Sequence, residues 1–207
     1  MKANKLKERS RNYFNNLAEK HEVIPEPILC YAIVMDYLKK NCTFSSLADI
    51  SCGTGEMLKR LSDYYGDALK LYGVDLSEKA IARAQRSLKD KADLQVGDVD
   101  DLPLDDACAD VVLNMHSFHH YPHPVHSLKE IRRILSDRGS LIMVENNYGN
   151  LKRIRINLHI ARHRHRQGDI KMYSRKQLEA LIKEAGFKVF YREEIADHSV
   201  LYVCRKG

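Results

Sequence analysis

Three stretches of the chain hold residues whose types and spacing can do chemistry. Ser51-Cys52-Gly53-Thr54-Gly55 follows the short apolar run Leu47 to Ile50 and precedes Met57, Leu58, Leu61, Tyr64 and Tyr65 at helical spacing. A glycine turn between a strand and a helix brings bare backbone N–H groups and a helix N-terminus up to a ligand, which suits the polar part of a nucleotide-like cofactor. Asp75 ends the next apolar run, Leu69 to Val74, about twenty residues after Gly55, where a carboxylate can accept both hydroxyls of a ribose. A dinucleotide fingerprint needs a small residue three positions beyond its second glycine; Leu58 stands there, and Glu56 would repel a pyrophosphate at the helix N-terminus. The spacing favours a nucleoside without phosphates.

The second stretch, His116-Ser117-Phe118-His119-His120-Tyr121-Pro122-His123-Pro124-Val125-His126, follows another apolar run, Asp110 to Met115. An imidazole takes a proton near neutral pH, so His116, His119 and His120 are candidate general bases toward an oxygen or nitrogen nucleophile. Packing or backbone hydrogen bonding is the alternative role for the His119-His120 pair. No metal is expected, because ligands would have to converge from a loop and a helix start, without a cysteine or carboxylate at the usual spacing.

The third stretch is basic. Lys152, Arg153, Arg155, Arg162, Arg164 and Arg166 lie between Leu151 and Gly168 without an acid, and Leu151, Ile154, Leu158 and Ala161 are helically spaced. Arg162, Arg164 and Arg166 are candidates to hold a carboxylate or phosphate of a small acceptor, or a nucleic-acid backbone. Cations at a helix C-terminus also stabilise the macrodipole with no further role. Conversely, Asp100, Asp101, Asp105 and Asp106 are expected to form a solvated acidic loop.

The elements that must position these residues alternate. Two helices are expected between Arg11 and Lys40, split at Ile24-Pro25-Glu26-Pro27. Strands are expected at Leu47 to Ile50, Leu69 to Val74, Leu94 to Val96, Asp110 to Met115 and Ser140 to Glu145. Helices fall between them, one capped by Ser77 and another over Val125 to Leu135. Such alternation implies a Rossmann-like, doubly wound α/β sheet, mostly parallel. After a helix capped by Ser174, Phe187 to Ile195 and Ser199 to Cys204 are too closely joined for anything but an antiparallel hairpin, completing seven strands.

The 207 residues suit one domain, divided into N-terminal helices forming a lid (1–44), a cofactor core (45–149), a basic insertion (150–173) and a C-terminal helix and hairpin (174–207). With 44% hydrophobic and 30% charged residues, collagen-like and wholly disordered classes are excluded. Cys30, Cys42, Cys52, Cys108 and Cys204 form no C-x-x-C pair, which fits reduced thiols in a cytoplasmic protein. The first nine residues hold no apolar signal region and no run is long enough for a bilayer span, so neither export nor membrane insertion is expected.

Leu47-Ala48-Asp49-Ile50-Ser51-Cys52-Gly53-Thr54-Gly55, Leu71-Tyr72-Gly73-Val74-Asp75-Leu76-Ser77, Gly97-Asp98-Val99-Asp100-Asp101-Leu102-Pro103 and Leu128 to Leu135, in that order, resemble the class I S-adenosylmethionine-dependent methyltransferases of the small ubiquinone/menaquinone-biosynthesis-like group. The resemblance implies S-adenosylmethionine as cofactor, with Asp49, Ser51, Cys52, Gly53, Thr54 and Gly55 around its methionine part and Asp75 with Leu76 at the ribose. It further implies Asp98 and Val99 at the adenine, Asn114 just past the fourth strand offering a carbonyl to the amino group, and Tyr13 and Phe14 on a lid helix. Two departures stand out: Ser51 replaces a first glycine, and Ser140 replaces the second glycine of the turn before the fifth strand.

Transfer from a sulfonium needs little chemical help, since alignment supplies most of the acceleration. Asn114-Met115-His116-Ser117 is unlike the Asn-Pro-Pro-Tyr of amide and exocyclic-amine methylation in this fold. The expected function is methyl transfer by direct displacement to a small acceptor, with an anionic one favoured by the basic segment. An RNA-modifying or RNA-binding protein, and a silent cofactor-binding domain, are the alternatives.

Overall fold

The computed structural model describes residues 2–20, 28–163, 168–195 and 198–207. Seven strands, β1 (Ser46–Asp49), β2 (Lys70–Asp75), β3 (Asp93–Val96), β4 (Ala109–Met115), β5 (Leu135–Asn146), β6 (Phe187–Glu194) and β7 (Ser199–Lys206), form one sheet in the order β3-β2-β1-β4-β5-β7-β6. The first five run parallel, and β7 lies antiparallel between β5 and β6. The order reverses at β1 and β4, which makes their carboxyl ends the crevice where open α/β sheets bind ligands.

Among the described residues, seven α-helices accompany the sheet: α1 (Lys2–Glu19), α2 (Ile28–Asn41), α3 (Glu56–Tyr65), α4 (Glu78–Leu88), α5 (Pro124–Ile134), α6 (Asn150–His163) and α7 (Arg175–Glu184). Alternation along the central strands divides the core. Val111 and Leu113 of β4 and Ile142 and Val144 of β5 pack with α2, α3 and α4, whereas Val112, Leu141 and Met143 pack with α5 and α7. Strands apolar on both faces need a helical layer on each side, and this chain supplies both.

Local signals set the helix ends. Ser77 Oγ accepts from the Ala80 amide at 3.1 Å, and Ser174 with Gln177 forms a reciprocal capping box at α7. The N-terminal helices stand on either side of the prolines, which lie outside the described residues.

Two expectations need correction. Strand β5 starts at Leu135, five residues early, so Ser140 is not in a turn but inside the strand, paired with Val111 and Arg205. The backbone is crowded just before it: a Cβ on Gly139 would stand 2.7 Å from Leu135 Cδ1 and 2.8 Å from the Asp110 carbonyl. Asn114 lies within β4 rather than past it, paired with Met143 and fully buried.

Candidate functional site

The turn after β1 is shaped by two glycines. Gly53 has φ +53°, and its amide donates to Asp75 Oδ2 at 2.8 Å; Gly55 has φ +81° and precedes α3. A Cβ on Gly55 would lie 2.9 Å from Leu88 Cδ1 and 3.0 Å from Ala84 Cβ, so glycine is what lets α3 start against α4. The Cys52 amide donates to the Val74 carbonyl at 3.1 Å, tying the turn to β2. Thr54 is exposed and Leu76 half-buried.

Asp49 and Asp75 end the neighbouring strands β1 and β2. Burial pushes Asp49 up to about 7; the Ser51 amide, at 3.3 Å from Oδ1, partly offsets this, and the charge of Asp75 adds to it. Burial also raises Asp75, against hydrogen bonds from the Ser77 and Gly53 amides. A buried and a half-buried carboxyl on adjacent strand ends make this edge receptive to positive charge.

Ser51 and Asn114 meet through Tyr121. Ser51 Oγ donates to the Ile50 carbonyl and lies 2.8 Å from Tyr121 Oη, while Asn114 Nδ2 donates to Tyr121 Oη at 2.6 Å and to Ser117 Oγ at 2.8 Å. With Nδ2 turned to these hydroxyls, Asn114 Oδ1 is a buried acceptor without a hydrogen-bond partner. Such an orphan fits a ligand donor, and with the glycine turn and the two strand-end carboxylates the residues present fit a nucleoside carrying a cationic amino-acid tail.

Asp98 and Val99 follow β3; Asp98 Oδ1 accepts the Asp100 amide at 3.0 Å and Val99 is buried. The acidic loop is not wholly solvated as expected. Asp100 is largely buried, bonded to Lys7, His123 and Ser127, while Arg133 holds Asp106 and the Leu102 and Leu104 carbonyls. Helix α1 docks here through Lys7 and reaches past β2, where Asn15 Oδ1 accepts from Ser77 Oγ at 2.6 Å. Phe14 meets His120 edge-on at 5.3 Å, and Tyr13 meets Phe14 edge-on at 5.3 Å.

The three candidate histidines differ. His116, φ +50°, leaves Nε2 buried without a partner, and burial lowers its pKa against the pull of Glu145. His119 Nδ1 stands 3.1 Å from Glu145 Oε2; burial opposes its charged form, but Glu145 and Asp169 outweigh burial and raise it. His120 is pushed well down by burial and by His119. Glu145 also accepts the Phe118 amide at 2.9 Å. Glu145 and Asp169 escaped the sequence reading, although an acid ending an aliphatic strand and the lone acid after a basic run were available signals.

Arg162 lies exposed on α6, where a groove of about 860 Å³ runs along Leu151, Lys152, Arg155, Leu158 and Arg162. Arg164 and Arg166 lie outside the described residues. No described helix is long and apolar enough to cross a membrane.

Residues 48–143 match the methyltransferase domain family. A demethylmenaquinone methyltransferase of Thermotoga maritima is 28% identical over 158 residues, covering 72% of this chain and 66% of that protein. The chain spans 35% to 66% of the length of this and two other curated relatives it matches. Among solved structures, a chain of the complex between the Haloferax volcanii Trm112 methyltransferase activator and a methyltransferase has TM-score 0.77 at 23% identity, covering 95% of this chain and 97% of that one. The geranyl diphosphate C-methyltransferase of Streptomyces coelicolor, solved with Mg2+, geranyl diphosphate and S-adenosyl-L-homocysteine, has TM-score 0.77 at 14% identity and covers 98% of each chain. These two likenesses establish the fold. The match over residues 48–143 and the demethylmenaquinone methyltransferase support, as the family this chain is similar to, the class I S-adenosylmethionine-dependent methyltransferases of the small ubiquinone/menaquinone-biosynthesis-like group.

Proposed function

We propose that this chain transfers a methyl group from S-adenosylmethionine to a small acceptor by direct displacement, and that the acceptor is anionic. The observation that carries the reading is the convergence of the Gly53–Asp75 link, the buried Asp49 carboxyl and the orphaned Asn114 Oδ1 on one sheet edge. When bound, the cofactor supplies an electrophilic methyl on a sulfonium. Asp49 and the turn Ser51 to Gly55 would hold its methionine part, Asp75 and Leu76 its ribose, and Asp98 with Val99 its adenine. Asn114 would accept from the amino group.

On the acceptor side, His119 is oriented by Glu145 and lies 3.7 Å from Asp169, a setting in which an imidazole can hold or pass a proton. His116 and His120, with lowered basicity, are the neutral imidazoles flanking it. The acid-free α6 supports an anionic acceptor by charge, with Arg162 the described cation of the C-terminal cluster. Relatives named for demethylmenaquinone and tocopherol support a small-molecule acceptor.

The test is calorimetric titration of S-adenosylhomocysteine into the protein and into Asp75→Ala, with NAD as control. Each charge-assisted hydrogen bond to a ribose hydroxyl contributes about 1.5–3 kcal/mol, so affinity falls at least about tenfold in the variant. Binding of NAD, or no binding of S-adenosylhomocysteine by the intact protein, overturns the proposal.

A further inference from the structure

A cluster beside the cofactor edge is left unexplained by hydrogen bonding. Asp169 Oδ1 stands 3.7 Å from His119 Nε2 and 3.4 Å from His120 Nδ1, and one ligating atom from each of the three residues lies within 4.8 Å of the other two. His120 Nδ1 is buried and has no hydrogen-bond partner. The other ring nitrogen of His119 faces Glu145 Oε2 at 3.1 Å. A neutral imidazole donating from Nδ1 to Glu145 presents a lone pair at Nε2, with the tautomer set by that bond. In that form, lone pairs of two imidazoles and a carboxylate face one another, an arrangement relieved by a proton on His119 Nε2 or by a metal cation held among the three.

Charge points the same way. Glu145 and Asp169 are two carboxylates in a mostly buried cluster, and their ion-pair partners among the described residues are histidines, with no lysine or arginine. A dication balances both charges.

We propose that His119 Nε2, His120 Nδ1 and Asp169 form a site for one divalent cation of the zinc type. A tetrahedral ion with bonds of about 2.1 Å holds its ligand atoms about 3.4 Å apart, close to the 3.7 and 3.4 Å that separate the two imidazoles from Asp169 Oδ1. Two imidazoles select against calcium and magnesium, which prefer all-oxygen sites. Glu145 completes the pattern in which a carboxylate fixes the ligating imidazole through its other nitrogen. Three protein ligands leave a fourth position open, at the carboxyl end of β4 where Asn114 also lies. With the ion bound, His119 Nε2 no longer takes a proton, so the open position rather than His119 would act on an acceptor oxygen; that use rests on the methyl-transfer reading, and the site itself does not.

Cobalt(II) is the probe, because a low-coordinate Co2+ absorbs strongly in the visible while the hydrated ion barely does. Co2+ is titrated into the metal-stripped full chain, and Zn2+ is titrated by calorimetry, for the wild type, His120→Gln, Asp169→Asn and His159→Ala. His159 stacks on His163 of the same exposed helix and is the competing chelate. Expected are one strong site per chain, at least a tenfold loss of affinity in His120→Gln and in Asp169→Asn, and retention in His159→Ala. No visible band in the wild type, or equal affinity in the His120 and Asp169 variants, overturns the proposal. S-adenosylhomocysteine titrated into the same samples reads the cofactor pocket separately, so failure of the metal site and failure of the methyltransferase reading are distinguishable.

Discussion

The ammonium of Lys7 lies between two carboxylates of the loop after β3, 2.7 Å from Asp98 Oδ2 and 2.5 Å from Asp100 Oδ2. This bridge joins the first helix to the segment proposed to read the adenine. Further along α1, Asn15 reaches Ser77 and Phe14 reaches His120, so one helix is pinned to the loops following β2, β3 and β4. In Lys7→Ala the first helix loses its charged anchor; if that helix covers the cofactor as proposed, S-adenosylhomocysteine should dissociate about three to ten times faster in stopped-flow displacement. The wild-type rate should itself rise with salt, since Lys7 is only partly buried. An off-rate unchanged by the substitution limits Lys7 to a surface role.

Asp49 makes the cofactor edge pH-dependent. Its pKa is raised from 3.8 to about 7 in the folded state, so folding favours the protonated form. The stability it contributes is full below about pH 4 and is lost as pH rises through about 7. Cofactor affinity has the opposite sign, because a cationic methionine tail favours the carboxylate. Binding of S-adenosylmethionine should weaken by up to about tenfold for each pH unit below about 7. Calorimetry across that range checks this, and Asp49→Asn should flatten the profile; a wild-type profile already flat counts against a role for Asp49 at the methionine part.

Ser51 uses its hydroxyl as a structural link to Tyr121. Removing the phenol in Tyr121→Phe should cost about 1–2 kcal/mol and lower the thermal midpoint by about 2–8 °C. A double-mutant cycle with Ser51→Ala should give a coupling of about 0.5–1.5 kcal/mol. Additive effects would mean that the two hydroxyls do not support each other.

Arg133 is a hub for the acidic loop. Its guanidinium bonds Glu130, Asp106 and the carbonyls of Leu102 and Leu104, the last two at 2.9 and 2.7 Å. Arg133→Ala should destabilise the protein by about 1–3 kcal/mol in denaturant titration. Arg133→Lys should recover little, because an ammonium lacks the planar fork that meets four acceptors at once. Full rescue by lysine would reduce the hub to simple charge.

The parts of the fold and site legible in the sequence are those whose physics is local. The glycine turn, the Ser77 and Ser174 caps and the acids ending β1 and β2 are each specified within a few residues, and each stands where the spacing places it. The start of β5 differs from the local reading because Leu135 pairs with Ala109, followed by a register shift before Ser140 meets Val111.

By itself, then, the sequence determined a parallel α/β sheet closed by an antiparallel pair, and a nucleoside-type pocket at its first turn, because hydrophobic periodicity, glycine conformation and strand-end carboxylates act at short range. Only the tertiary structure decided which polar groups became partners. Lys7 meets Asp98 across 91 residues, Ser51 meets Tyr121 across 70, and His119 meets Glu145 across 26. No periodicity encodes these meetings. They arise because each charge or hydroxyl carried under the sheet edge must find a counterpart there, and chain separation is irrelevant to that choice once the strands are paired.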